Sequence, residues 1–159
     1  MCKNHAILEQ RMSEVVDYSV EHVKNGGIPF TAYVIDDEGN ILGQGVNRVM
    51  ENSDPTAHAE VEAIRDACKN TQSPHLRGLT LLASGEPCAM CYLNAMYSGI
   101  GKVLFAADSN EAAVHGFDYR RTYSMLADFP SRWPMEIAKH QVEGSLEPFK
   151  MLLEKRNLG

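Results

Sequence analysis

The chain has 159 residues, of which 44% are hydrophobic and 23% charged, with a formal net charge of −6. That length suits one domain with a sizeable core, read here as spanning 1–159. The acidic balance argues against a nucleic-acid partner, whose affinity comes largely from Lys and Arg on phosphates. No run approaches the roughly 18 apolar residues of a membrane span, and "MCKNHAILEQ" turns polar too early for a signal peptide. Without an export signal the expected compartment is the cytoplasm. The four cysteines, Cys2, Cys68, Cys88 and Cys91, then point to metal or redox work rather than to disulfides.

Helical spacing of Ile7, Leu8, Met12, Val15, Val16, Val20 and Val23 predicts a helix from about His5 to Lys24, stopped by "NGG" at Asn25–Gly27. "PFTAYVID" and "ILGQGVNRV" read as strands joined by a turn at Asp37–Asn40. A helix is expected next, with Asp54 as N-cap and Pro55 in its first turn. "LTLLAS" (Leu79–Ser84), a helix from about Pro87 to Ser98, and "KVLFAA" (Lys102–Ala107) form a βαβ unit, so those two strands should be parallel. Short helices are expected over 109–134, a last strand at "EIAKHQV" and a last helix at "LEPFKMLLEKRN". The pattern implies an α/β fold, a mixed sheet with helices on both faces.

Two stretches carry chemistry. Cys88 and Cys91 form a C-x-x-C at a helix start, where the dipole favours thiolates. Alone, that pair fits a metal site, a thioredoxin-like redox pair or two core cysteines. His58-Ala59-Glu60 alone fits surface or capping groups. Together, His58, Cys88 and Cys91 suit Zn²⁺. Cys68 lies roughly 15 Å along the helix axis from His58, too far to share a metal, and reads as core. Cys2 and the other histidines lie at no telling spacing. Three ligands leave one position for water, as catalytic zinc requires, and Glu60 is then placed to move that water's proton. On an ideal helix positions i and i+2 do not face each other, so His58 and Glu60 must converge through the geometry of the helix start.

His58-Ala59-Glu60 and Pro87-Cys88-Ala89-Met90-Cys91 reproduce H-x-E…P-C-x-x-C, the signature of zinc-dependent nucleobase deaminases. With "GGIPF", "NSDPTAHAEVEAIRDACK", "EPCAMC" and "VLFAADSNEAAVHGFD", the chain resembles the cytidine/deoxycytidylate deaminase superfamily over most of its length, and within it the bacterial guanine deaminase branch. The resemblance implies a three-layer α/β/α sandwich with about five strands, a homodimer, and one Zn²⁺ per chain held by His58, Cys88 and Cys91. It implies hydrolytic loss of ammonia from a free nucleobase or related heterocycle, guanine to xanthine favoured, with Glu60 catalytic. It also implies substrate contacts from Asn47 (otherwise a strand-end Asn), Phe30 (otherwise core), Tyr97 (otherwise helix packing) and the backbone N–H of Ala59 or Cys88.

The sequence also departs from that branch. The pair after "GF", which the resemblance places at the substrate, is Asp118-Tyr119 where two acids are usual, Thr31 replaces a common Gly, and "EKRNLG" lacks a terminal aromatic. Rival readings are a deaminase of cytosine, isocytosine or a nucleoside, a tRNA adenosine deaminase sharing "DPTAHAE", and a zinc-stabilised binding module. The acidic charge opposes the second of these, and Glu60 opposes the third.

Overall fold

A computed structural model describes residues 2–158, with side chains from Asn4 onward. The reading of one domain over 1–159 includes Met1 and Gly159, and the reading of Cys2 concerns its side chain; these lie outside the described residues. The backbone groups into two units, Met1–Ala127 and Asp128–Gly159.

The first unit runs α1 (Cys2–Lys24), β1 (Thr31–Ile35), β2 (Ile41–Val46), α2 (Val49–Asn52), α3 (Ala59–Thr71), β3 (Thr80–Gly85), α4 (Ala89–Tyr97), β4 (Lys102–Ala107), α5 (Ser109–Val114) and α6 (Arg121–Ala127). The strands form one sheet in the order β2-β1-β3-β4. β1 pairs antiparallel with β2 and β3, and β3 pairs parallel with β4, with Leu81 opposite Val103. The hairpin and the parallel βαβ unit are therefore as expected, and the sheet is mixed. It has four strands rather than about five.

Period-2 alternation splits each strand between two cores. Ala32, Val34 and Leu81 pack with Ala59, Ala63, Ile64 and Ala67 of α3 and Ala95 of α4. Tyr33, Ile35 and Leu82 pack with Val15, Leu8 and Met12 of α1 on the opposite face. Leu8, Met12 and Val15 share one stripe of α1 because they recur at i, i+4 and i+7. Each fully buried Val, Leu or Ile contributes about 1.5–3 kcal/mol, so this layering is what anchors α3 and α4 over the sheet. β2 brings α3 closer still. A Cβ on Gly45 would collide with the backbone oxygen of Ala59, and one on Gly43 with that of Ala63. Only glycine lets the helix rest directly on the strand.

Two local expectations differ. The helix expected at Asp54 begins at Ala59, with His58 as N-cap. The Asp54 carboxylate instead closes a turn, accepting from Thr56 N–H at 2.9 Å and from the Thr56 hydroxyl at 2.7 Å. Val49, expected at a strand end, opens the short α2.

In the second unit a 3₁₀ turn covers Pro130–Arg132 and α7 covers Glu147–Leu158. The last helix is thus present, whereas residues 136–142 carry no strand. Glu136, Lys139, His140 and Gln141 leave that stretch with little apolar alternation to bury. Phe149, Met151, Leu152 and Leu153 of α7 are exposed. No helix among the described residues is long and apolar enough to cross a membrane.

Candidate active site

The starts of α3 and α4 meet. His58 caps α3 with φ −67° and ψ 156°, and Cys88 caps α4 with φ −70° and ψ 173°. Both are extended, as a residue half outside a helix must be. His58 Nδ1 lies 3.6 Å from Cys88 Sγ and 3.5 Å from Cys91 Sγ. The two sulfurs are 3.7 Å apart.

These distances test the fit of zinc. Tetrahedral bonds of ~2.3 Å to sulfur and ~2.05 Å to nitrogen require edges of about 3.8 Å between sulfurs and about 3.6 Å between nitrogen and sulfur. The three donors already hold that triangle, and one imidazole with two thiols is a donor set zinc takes. Zinc is the metal of this site, and the set leaves one tetrahedral position open.

Glu60 is 3% exposed. Its Oε2 accepts from the Cys91 thiol at 3.3 Å. The ideal-helix objection to a His58–Glu60 pair does not arise, because His58 precedes the helix rather than sitting in it. Burial pushes the Glu60 carboxyl up to about 7, against its own backbone N–H and the Cys91 thiol, which favour the anion. His58 is raised, chiefly by its hydrogen bond to Cys88 and against desolvation. The bond between the two sulfurs pulls Cys88 down and pushes Cys91 up. Zinc ligation needs both as thiolates.

A cavity of about 120 Å³ opens onto these groups, lined by Ile28, Phe30, Asn47, His58, Glu60, Glu86, Cys88 and Tyr119. It is smaller than the roughly 300–1,000 Å³ that takes a drug-sized ligand, and its scale suits a single small ring system. A larger apolar cleft, about 540 Å³ and bordered by Val20, Ala106 and Phe117, carries none of the ligands.

Of the residues singled out in the sequence, His58, Glu60, Cys88, Cys91, Asn47, Phe30 and Tyr119 come together here. Asn47 lines the cavity, and its Oδ1 accepts from Val49 N–H at 3.2 Å. Phe30 meets Tyr119 edge-on, with centroids 6.1 Å apart. The Tyr119 hydroxyl donates to the carbonyl of Glu86, so its ring rather than its oxygen faces the cavity wall. Ala59 is buried in the first turn of α3.

Two residues do not join them. Tyr97 is 81% exposed, in a separate cleft with Cys68. It lies nine residues beyond Cys88, about two and a half turns, and so on the opposite side of α4. Asp118 is held at the surface by Arg120 at 2.7 Å. Ile28 and Glu86 line the cavity unannounced, although both sit in quoted motifs. Glu86 accepts from Ser109 N–H at 2.8 Å and from the Tyr92 hydroxyl at 3.1 Å.

Comparison with known proteins agrees with this geometry. The profile of the cytidine and deoxycytidylate deaminase zinc-binding region matches residues 6–107. Guanine deaminase of Bacillus subtilis is 44% identical over 112 residues, covering 69% of this chain and 70% of that protein. A tRNA-specific adenosine deaminase of Haemophilus influenzae is 39% identical over 102 residues, 63% of this chain and 59% of that protein, so the chain spans about three fifths of that relative. The X-ray structure of the Bacillus subtilis guanine deaminase superposes with a TM-score of 0.84 at 33% identity, covering 92% of this chain and 93% of that one. The chain belongs to the zinc-binding cytidine and deoxycytidylate deaminase family, hydrolases of carbon–nitrogen bonds.

Proposed function

We propose that this protein hydrolytically deaminates a free nucleobase or a related aminated heterocycle, with guanine converted to xanthine and ammonia as the favoured reaction. The carrying observation is a buried carboxylate, Glu60, beside a three-donor metal site at a cavity of about 120 Å³. The Bacillus subtilis relative supports guanine.

Zinc, when bound, supplies Lewis-acid activation of a water molecule, bringing its pKa toward neutrality. His58, Cys88 and Cys91 hold the metal, and their helix starts orient it. Glu60 accepts a proton from the attacking water and delivers it to a ring nitrogen. The oxygen bonds to the amino-bearing carbon, and the carbon–nitrogen bond breaks. Glu60 then takes the proton still on that oxygen and passes it to the departing amine, which leaves as ammonia while the oxygen becomes the ring carbonyl. The Asn47 amide orients the ring, and Phe30 with the Tyr119 ring packs on its faces. The Ala59 and Cys88 backbone N–H groups, at helix starts, are the further donors we assign to the substrate.

We assign this work to one deaminase domain over 1–159, acting as a homodimer in the cytoplasm. The exposed apolar side chains of α7 support self-association, and a reducing compartment keeps both thiols available. A second reading, deamination of adenosine in tRNA, draws support from the Haemophilus influenzae relative. The small cavity and the net charge of −6 weigh against it. Ammonia release from guanine, adenine, cytosine, isocytosine, their nucleosides and a tRNA separates the two. Turnover of guanine above the rest, absent in Glu60→Ala, is expected. Turnover of tRNA alone overturns the proposal.

A further inference from the structure

The ligand Cys88 stands at the end of a backbone segment, Glu86-Pro87-Cys88, that belongs to neither β3 nor α4. A segment without its own ladder must be held by other groups. Glu86 N–H donates to Ala107 O at 2.8 Å and the Glu86 carboxylate accepts from Ser109 and Tyr92, while the carbonyls of Glu86 and Pro87 are held from 119–123. The Tyr119 hydroxyl donates to Glu86 O, and the Tyr123 hydroxyl donates to Pro87 O. Thr122 Oγ1 accepts from Ala89 N–H at 3.1 Å and donates to Tyr119 O at 2.7 Å. Tyr123 also packs against Tyr92 and Tyr119, with centroids 6.2 Å and 6.4 Å away.

The Thr122 contact has a specific logic. An N-cap side chain normally accepts from the second or third amide of its helix. Cys88 occupies that position in α4 and makes no such bond. Its sulfur is turned to His58 and Cys91 instead. The first amide of α4, that of Ala89, is one no N-cap side chain reaches, and Thr122 of α6 accepts from it.

We propose that Thr122 and Tyr123 are positioning residues of the metal centre. Thr122 satisfies the first amide of α4 from outside the helix and so fixes the turn that carries both sulfurs. Tyr123 fixes the carbonyl that precedes Cys88. Together they preset the sulfur pair at the ligand separation, so that less ordering remains for metal binding to accomplish. This deepens the reading of the metal site and is independent of which ring is deaminated.

The test is zinc competition, with no substrate present. Holoprotein is titrated with a chromophoric chelator of known zinc affinity, for the parent, Thr122→Val, Thr122→Ser and Tyr123→Phe, with Tm recorded for each zinc-free form. Weakening of zinc affinity by at least about tenfold is expected in Thr122→Val and Tyr123→Phe, with Thr122→Ser close to the parent because the hydroxyl remains. Cobalt-substituted protein should show the same ranking in its sulfur-to-metal absorption band. Parent-like zinc affinity in both hydroxyl-less variants, even with a lowered Tm, overturns the proposal. So does a Thr122→Ser variant as weak as Thr122→Val. A failure of the substrate assignment leaves these measurements unchanged.

Discussion

Three helices of the first unit begin in the same backbone conformation and use it differently. α5 opens with Asp108, whose carboxylate accepts from Glu111 N–H at 2.8 Å while the Glu111 carboxylate accepts from Asp108 N–H at 3.0 Å, a complete capping box. α3 and α4 open with His58 and Cys88, which make no side-chain cap bond. A good cap is worth about 1 kcal/mol, and the two uncapped starts forgo it. What they gain is direction. A side chain at the N-cap projects over the helix end, and two such ends facing one another aim an imidazole and a thiol at a single point. The same location serves stability in α5 and chemistry in α3 and α4.

The largest expected effect is on the chemical starts. Cys88→Ala should lose stoichiometric zinc, measured by metal analysis, and with it all turnover. Retained metal would break the comparison, because Cys88 would then be an ordinary N-cap. Glu60→Gln comes next. Zinc content should stay at one per chain while kcat falls by roughly 10²- to 10⁴-fold, the span general acid–base groups supply. Gly45→Ala tests the contact that holds α3 on β2, and overpacking there should cost about 1–3 kcal/mol in urea unfolding. Asp108→Ala should cost about 1 kcal/mol of stability and leave zinc content untouched. The smallest and sharpest test is Cys88→Ser against Cys88→Ala, both metal-free. Serine is the better cap, so Cys88→Ser should unfold at higher urea, by about 1 kcal/mol. Equal midpoints would show that position 88 gives α4 no cap whatever side chain stands there.

The sheet and the metal site were legible for separate reasons. Alternation and a short turn marked β1 and β2, and the apolar runs in Leu79–Ser84 and Lys102–Ala107 marked β3 and β4. The metal triangle was legible because few other arrangements need His58, Cys88 and Cys91 together. Asp54 misled, since its carboxylate is as good at closing a turn on Thr56 as at capping a helix. The stretch 136–142 misled because Ile137 and Val142 alone do not make a strand, and Glu136, Lys139, His140 and Gln141 give it no apolar face to bury. Tyr97 was readable as outward-facing from its phase relative to Cys88. The capture of Asp118 by Arg120 was not, because two residues of opposite charge close in sequence do not announce which surface they share. The support given by Tyr119, Thr122 and Tyr123 was also out of reach, since their partners lie 33 or more residues away.

Tyr119 has two attachments, its ring at the cavity and its hydroxyl on the segment that carries Cys88. Anyone reshaping this enzyme for a new ring will find position 119 an obvious place to diversify. Each replacement there alters the cavity wall and also removes the bond to the Glu86 carbonyl, two residues before Cys88. A library screened on activity alone will discard variants whose pocket is right but whose zinc has been lost. Screening in zinc-supplemented medium, with Tyr119→Phe as the reference for the missing bond, separates the two losses and keeps the useful pockets in view.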